Sequence, residues 1–106
     1  MANPHRGEVV FKAADAEYTL VFSTNSICEL EELLNSGLNT IVANMERLTT
    51  VRALLWAGLH SKHPEISLKK AGDIIDVCGM AAATEAVGRA LNAAFPKPEK
   101  DAPANP

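Results

Sequence analysis

The chain has 106 residues, 47 % of them hydrophobic, which is enough for one folded domain and too little for a second core. Its 13 acidic and 10 basic residues give a formal net charge of −3, with no Lys/Arg cluster longer than Lys69-Lys70, so direct nucleic-acid binding is a poor fit. The start carries no apolar run of signal-peptide type, and the longest uncharged run, Leu33 to Met45, is too short and polar to span a bilayer, so a cytoplasmic setting is expected.

Residues 1 to 7 read as a short polar lead. Glu8 to Lys12 then alternates, with Val9 and Phe11 on one face and Glu8, Val10 and Lys12 on the other. Ala13 to Ala16 carries a turn around Asp15. Glu17 to Phe22 is the second strand, with Tyr18, Leu20 and Phe22 on one face and Thr19 and Val21 on the other. So short a separation predicts an antiparallel hairpin. A hairpin alone is marginal in water, so it must lie on helices or gain strands from another subunit. Its exposed edges invite pairing with another chain.

Ser23-Thr24-Asn25-Ser26 is a run of capping residues. Ser26 and Glu29 have the spacing of a capping box, and Thr24 or Asn25 are the other candidates for the cap. The helix that follows, to about Leu34, reads as the element around which the chain is organised. Its stripe of Ile27, Leu30 and Leu34, with Cys28, should join the hairpin to the later helices. Glu29, Glu31 and Glu32 lie mostly off the stripe; they read as a solvated face, with a recruiting surface as the functional alternative. Asn35-Ser36-Gly37 stops the helix, with Gly37 suited to the left-handed conformation. A second, shorter helix is expected over about 39–48, striped by Ile41, Val42, Met45 and Leu48. The β-branched pair within it makes a distorted turn the rival.

Thr49 or Thr50 can cap a third helix from Val51 to about Ser61, striped by Val51, Leu54, Leu55 and Leu59. Gly58 beside that stripe means either close approach of another segment or simple tolerance. Arg52 has the spacing to stack on Trp56. Trp56 closes the edge of the core or, alternatively, anchors a protein interface. His60 and His63 offer two imidazoles, short of the three or four ligands of a zinc site, and read as surface histidines at a helix end. Ser67 caps a fourth helix, Leu68 to Cys78, with Ile66 placed for a staple onto Ala71. Lys69 and Asp73 are spaced for an ion pair. Asp73 and Asp76 share one side; as no pocket or nucleophile accompanies them, they read as solvated rather than as an acid/base pair. Gly79 ends the fourth helix. The fifth, Ala81 to Phe95, is rich in alanine, carries a Glu85–Arg89 pair by spacing, and holds Gly88 at its middle. A neighbouring helix passes close there, or the helix is only moderately stable. Pro96 stops it, and 96–106 reads as a flexible tail. Cys28 and Cys78 both sit in helical patterns and read as reduced core thiols.

No phosphate loop, nucleophile elbow, zinc-ligand spacing or ordered nucleophile–base pair is visible. The expectation is a non-enzymatic interaction domain without cofactor or metal. A basic recognition helix, which a transcription regulator would need, is missing. The fold expected is α+β: an N-terminal antiparallel hairpin, then four or five short helices in a single domain over 1–95.

Several pieces, in order, resemble the tail assembly chaperone family of tailed phages, and more closely its gene transfer agent branch. They are Asn3-Pro4-His5-Arg6-Gly7-Glu8-Val9, Tyr18-Thr19-Leu20 and Ser23-Thr24-Asn25-Ser26-Ile27-Cys28-Glu29-Leu30-Glu31-Glu32. Arg52-Ala53-Leu54-Leu55-Trp56-Ala57-Gly58, Ala71-Gly72-Asp73-Ile74-Ile75 and the last helix ending Ala94-Phe95-Pro96 continue the likeness. The resemblance implies a helper that binds the tape measure protein in the cytoplasm of the producing bacterium before tube subunits polymerise. Tail tube subunits and a homo-oligomer are further associations it allows, and it implies neither nucleic acid nor membrane as a partner. The branch is also labelled a tail tube protein family. That implies a particle-associated, structural tail component as the alternative, with a small interaction domain of other purpose as the third reading. Under the resemblance Glu29, Glu31 and Glu32 face a partner, beside Arg52 and Trp56 as candidate contacts.

Overall fold

A computed structural model describes residues 7–95; the lead over 1–6 and the tail expected over 96–106 lie outside the described residues. The fold is α+β. Strands β1 (Val9–Ala13) and β2 (Ala16–Leu20) form the hairpin, and helices α1 (Thr24–Leu34), α2 (Leu38–Ala43), α3 (Leu48–His60), α4 (Leu68–Cys78) and α5 (Met80–Ala94) follow.

The strands are antiparallel, with Val9 opposite Leu20, Phe11 opposite Tyr18 and Ala13 opposite Ala16. Ala14 and Asp15 make the loop, and Ala14 holds φ 57, a left-handed conformation that costs a residue with a Cβ about 1–2 kcal/mol. The period-two reading holds where the ladder runs: Val9, Phe11, Ala13 and Leu20 are buried, while Lys12 and Glu17 are exposed. The second strand ends two residues short of Phe22. Its continuation would pair Phe22 with Gly7, which at φ 77 has already turned away. Phe22 is nonetheless buried.

The outer edge of β2 is not exposed, as the sequence had suggested of both edges. Thr19 N–H donates to His63 Nε2 at 3.0 Å, and Val21 N–H donates to the Gly58 carbonyl at 2.9 Å. Both acceptors come from the end of α3 and the turn after it. His63 is therefore not a surface histidine: it closes a strand edge, and its ring meets Tyr18 edge-on with centroids 5.5 Å apart.

Helix α1 starts at Thr24, and its cap lies three residues before Ser26, the serine of the expected capping box. Ser23 is the cap, extended at φ −108 and ψ 172, and its Oγ accepts from Ser26 N–H at 3.1 Å. Ser26 is thus the third helical residue, the donor to the cap, and only 5 % exposed. No capping box with Glu29 forms, because Glu29 lies a turn too far along. Phe22 and Ile27, both buried, occupy the staple positions around this cap. At the other end the left-handed residue is Asn35, at φ 52 and ψ 44, not Gly37. Asparagine tolerates that region because its short amide bonds locally. Gly37 begins α2 instead.

Helix α2 has six residues, shorter than expected, and only Ile41 of its stripe is buried. It ends at Asn44, whose N–H turns back to Ile41 O and whose Nδ2 donates to Thr40 O at 3.0 Å. A side chain that competes for backbone groups is a poor continuation for a helix. Leu48, expected in this stripe, opens α3 and is 59 % exposed. Neither Thr49 nor Thr50 caps α3: Arg47 is the cap without a side-chain bond, and Thr50 is buried in the first turn.

Helix α3 rather than α1 is the centre of the molecule. Val51, Ala53, Leu54, Leu55, Ala57, Gly58 and Leu59 are all buried, so the helix is covered on most sides. It packs against α1, α4, α5 and β2. Helix α1 reaches the hairpin through α3. Fully burying each of Leu54, Leu55 and Leu59 is worth about 2–3 kcal/mol in transfer terms. The glycine at 58 is there for close approach: a Cβ would stand 2.9 Å from Leu20 Cδ2 and 3.0 Å from Phe22 Cζ.

Helix α4 has the bounds read from the sequence. Ser67 Oγ accepts from Lys70 N–H at 3.0 Å, and Gly79 at φ 94 ends the helix. That one residue also starts α5, so the two helices meet at a corner that a side chain would strain. The Glu85–Arg89 pair forms at 3.1 Å; the Lys69–Asp73 pair is absent among the described residues.

Candidate protein-binding surface

The candidate residues from the sequence do not converge on one place. Glu29 and Glu32 are exposed on α1. Glu31 is half-buried, and its Oε2 accepts from Leu38 N–H at 2.9 Å. Gly37 has no side chain with which to cap α2, so a carboxylate from the preceding helix satisfies the free amide. Glu31 therefore joins α1 to α2, and the three acids do not act as one face.

Arg52 and Trp56 also separate. The stacking expected between them is absent among the described residues. The Arg52 side chain lies against α4, its Cδ 3.2 Å from where a Cβ on Gly72 would stand. Its Nε is buried without a hydrogen-bond partner. The hollow beside it, about 300 Å³, is lined by Leu48, Arg52, Lys69, Asp73 and Asp76 among others, two cations and two carboxylates. Asp73 and Asp76 are exposed there. Trp56 is half-buried and pairs with His60, ring centroids 5.5 Å apart at 48°. It closes a core edge with part of the indole in contact with solvent.

A larger and more apolar concavity lies elsewhere. Between α2 and α5 a groove of about 540 Å³ is lined by Leu38, Asn39, Val42 and Met45 on one wall and Gly88, Leu91, Asn92 and Phe95 on the other. Val42 is 42 % and Phe95 43 % exposed. Gly88 lies on this groove, and among the described residues no atom stands within 4 Å of where its Cβ would be. The close neighbouring helix, one of the two readings of Gly88, is absent among the described residues. All eight lining residues are uncharged. A groove of this kind suits apolar side chains from a partner, above all the face of an amphipathic helix. Sequence reasoning placed Val42, Met45, Leu91 and Phe95 on core stripes. Their periodicity was correctly seen; which stripe lacks a cover depends on how the helices assemble.

Of the thiols, Cys28 is exposed, contrary to its expected place in the core, because Ile27 and Leu30 take the inward positions of α1. Cys78 is half-buried and free, and burial pushes its thiol above the ordinary range. Among the described residues no group of three or more His, Cys, Asp or Glu is placed to hold a metal ion. No helix among them is long and apolar enough to cross a membrane. Compared with known proteins, the chain matches no family model, no curated protein and no solved structure.

Proposed function

We propose that the protein is a non-enzymatic assembly chaperone of a phage-like tail, of the gene transfer agent kind, acting in the cytoplasm of the producing bacterium. Its partner is the tape measure protein, and the α2–α5 groove is where an apolar helical segment of that partner lies. The observation that carries this reading is the uncharged groove with Val42 and Phe95 half exposed on its two walls. The resemblance of the ordered sequence pieces supports the identity of the partner. A long apolar helix needs its surface covered until tube subunits replace the cover. Covering it is worth about 25 cal/mol per Å² of apolar surface. A small open groove limits the gain, which suits a cover that must later be displaced.

Titration of the full chain with the tape measure product tests the proposal. Binding is expected, and Val42→Asp should weaken it at least tenfold without changing the melting temperature. Absence of binding by the wild-type chain, together with its stable retention in purified particles, would overturn the proposal and favour a structural tail component.

A further inference from the structure

The hairpin has two outer edges, and the molecule treats them differently. The β2 edge is closed by His63 and Gly58. Because Thr19 N–H points outward, the Val10–Thr19 pair does not exchange ladder bonds, nor does Lys12–Glu17. The N–H and C=O groups of Val10 and Lys12 therefore point away from β2. They have no partner among the described residues.

We infer that β1 pairs with β1 of a second copy of this chain, antiparallel about a two-fold axis through Val10. The occupant follows from charge. Glu8, Val10 and Lys12 share one face of the strand by alternation, with Lys12 exposed, Val10 half-buried and the Glu8 side chain 11 % exposed beside Lys62. In this register Val10 lies opposite Val10 of the other copy, and each Glu8 lies opposite a Lys12. Within one copy Lys12 already stands across from Glu17, and Glu8 is ion-paired with Lys62 at 3.3 Å. The joined four-stranded sheet thus carries a row of alternating charge: Glu17, Lys12, then Glu8 and Lys62 of the other copy. Shifting the register by two brings Val10 opposite a charge, and a shift by four sets Lys12 against Lys12. An isologous contact of this kind closes at two copies.

The test uses the full chain and two readouts. Sedimentation equilibrium should show a monomer–dimer equilibrium. Lys12→Glu and Glu8→Lys, each alone, set like charges opposite one another at both ends and should weaken dimerisation roughly tenfold. Mixing the two variants restores both opposite-charge contacts and should return the affinity as a heterodimer. Circular dichroism of each variant checks that the hairpin has formed. Because Lys12 stands across from Glu17 and Glu8 is paired with Lys62, a second variant tests the register without those charges. In a Cys28→Ser, Cys78→Ser background, Val10→Cys should cross-link on oxidation, since directly bonded residues lie about 5.5 Å apart, within disulfide range. Lys12→Cys, opposite Glu8, should cross-link far less. A wild-type chain that stays monomeric at every concentration overturns the inference. So does a dimer that neither responds to the charge variants nor prefers the cross-link at 10.

Discussion

Two glycines lie inside helices, Gly58 in the last turn of α3 and Gly88 at the middle of α5, and their surroundings differ. At Gly58 the hairpin presses on α3 so closely that a single methyl group would collide with Leu20 and Phe22. At Gly88 a methyl group would meet nothing among the described residues. In sequence the two positions look alike: an interior glycine beside an apolar stripe, at the same cost in helix propensity. The difference is what covers them. One side of the fold is closed by a strand edge bonded into the end of a helix. The other is left open as an apolar groove. A glycine in a helix therefore marks a contact or a vacancy with equal ease, and only the tertiary neighbours decide which.

The comparison can be broken at its strongest point first. Leu30 is fully buried where α1 packs on α3. Leu30→Asp places an unpaired carboxylate in that contact, and an isolated charge of this kind costs several kcal/mol, a large share of the total stability of a small domain. The variant should be unfolded or molten by circular dichroism at 25 °C; a native melt would refute the packing described. Next is Gly58→Ala. Overpacking costs about 1–3 kcal/mol and the helix gains about 1, so a net loss of up to about 2 kcal/mol is expected. Urea unfolding should show a lower midpoint at unchanged slope. The same change at the open side, Gly88→Ala, should stabilise by about 1 kcal/mol and raise the melting temperature by about 4–8 °C. If both alanines moved stability in the same direction, the contrast between the two sides would fail. The smallest effect concerns the hairpin loop on the closed side. Ala14→Gly relieves a left-handed alanine, worth about 1–2 kcal/mol in the fold, but adds freedom to the unfolded chain, so a gain of about 0.5 kcal/mol is expected in the same assay.

Much of this fold was legible from local signals. Helix α4 was read to the residue, since Ser67 before it and Gly79 after it are start and stop marks that act within one turn. The strand faces followed from alternation, and the core leucines of α3 from helical spacing. What escaped depends on groups far apart in sequence. The cap of α1 moved to Ser23 because Phe22 and Ile27, buried around it, fix where the chain turns. Glu31 serves α2 rather than its own helix, through an amide seven residues on. Of the candidate site residues, Glu29 and Glu32 are exposed as a solvated face would be, while Arg52 and Trp56 turn to separate neighbours. The groove between α2 and α5 was not legible, because an uncovered stripe and a covered one have the same periodicity. Gly88 was the available hint, and it pointed as well to a close neighbour as to none.

The bond from Thr19 to His63 spans 44 positions of the chain. Synthesis proceeds from the N-terminus, so both strands leave the ribosome well before their clasp does. Until the turn after α3 emerges, the hairpin has two open edges and no helix beneath it. Securing β2 is then a late event, set by the arrival of α3 and its following turn rather than by the hairpin itself. The hairpin is made before α3 yet is fastened only after it.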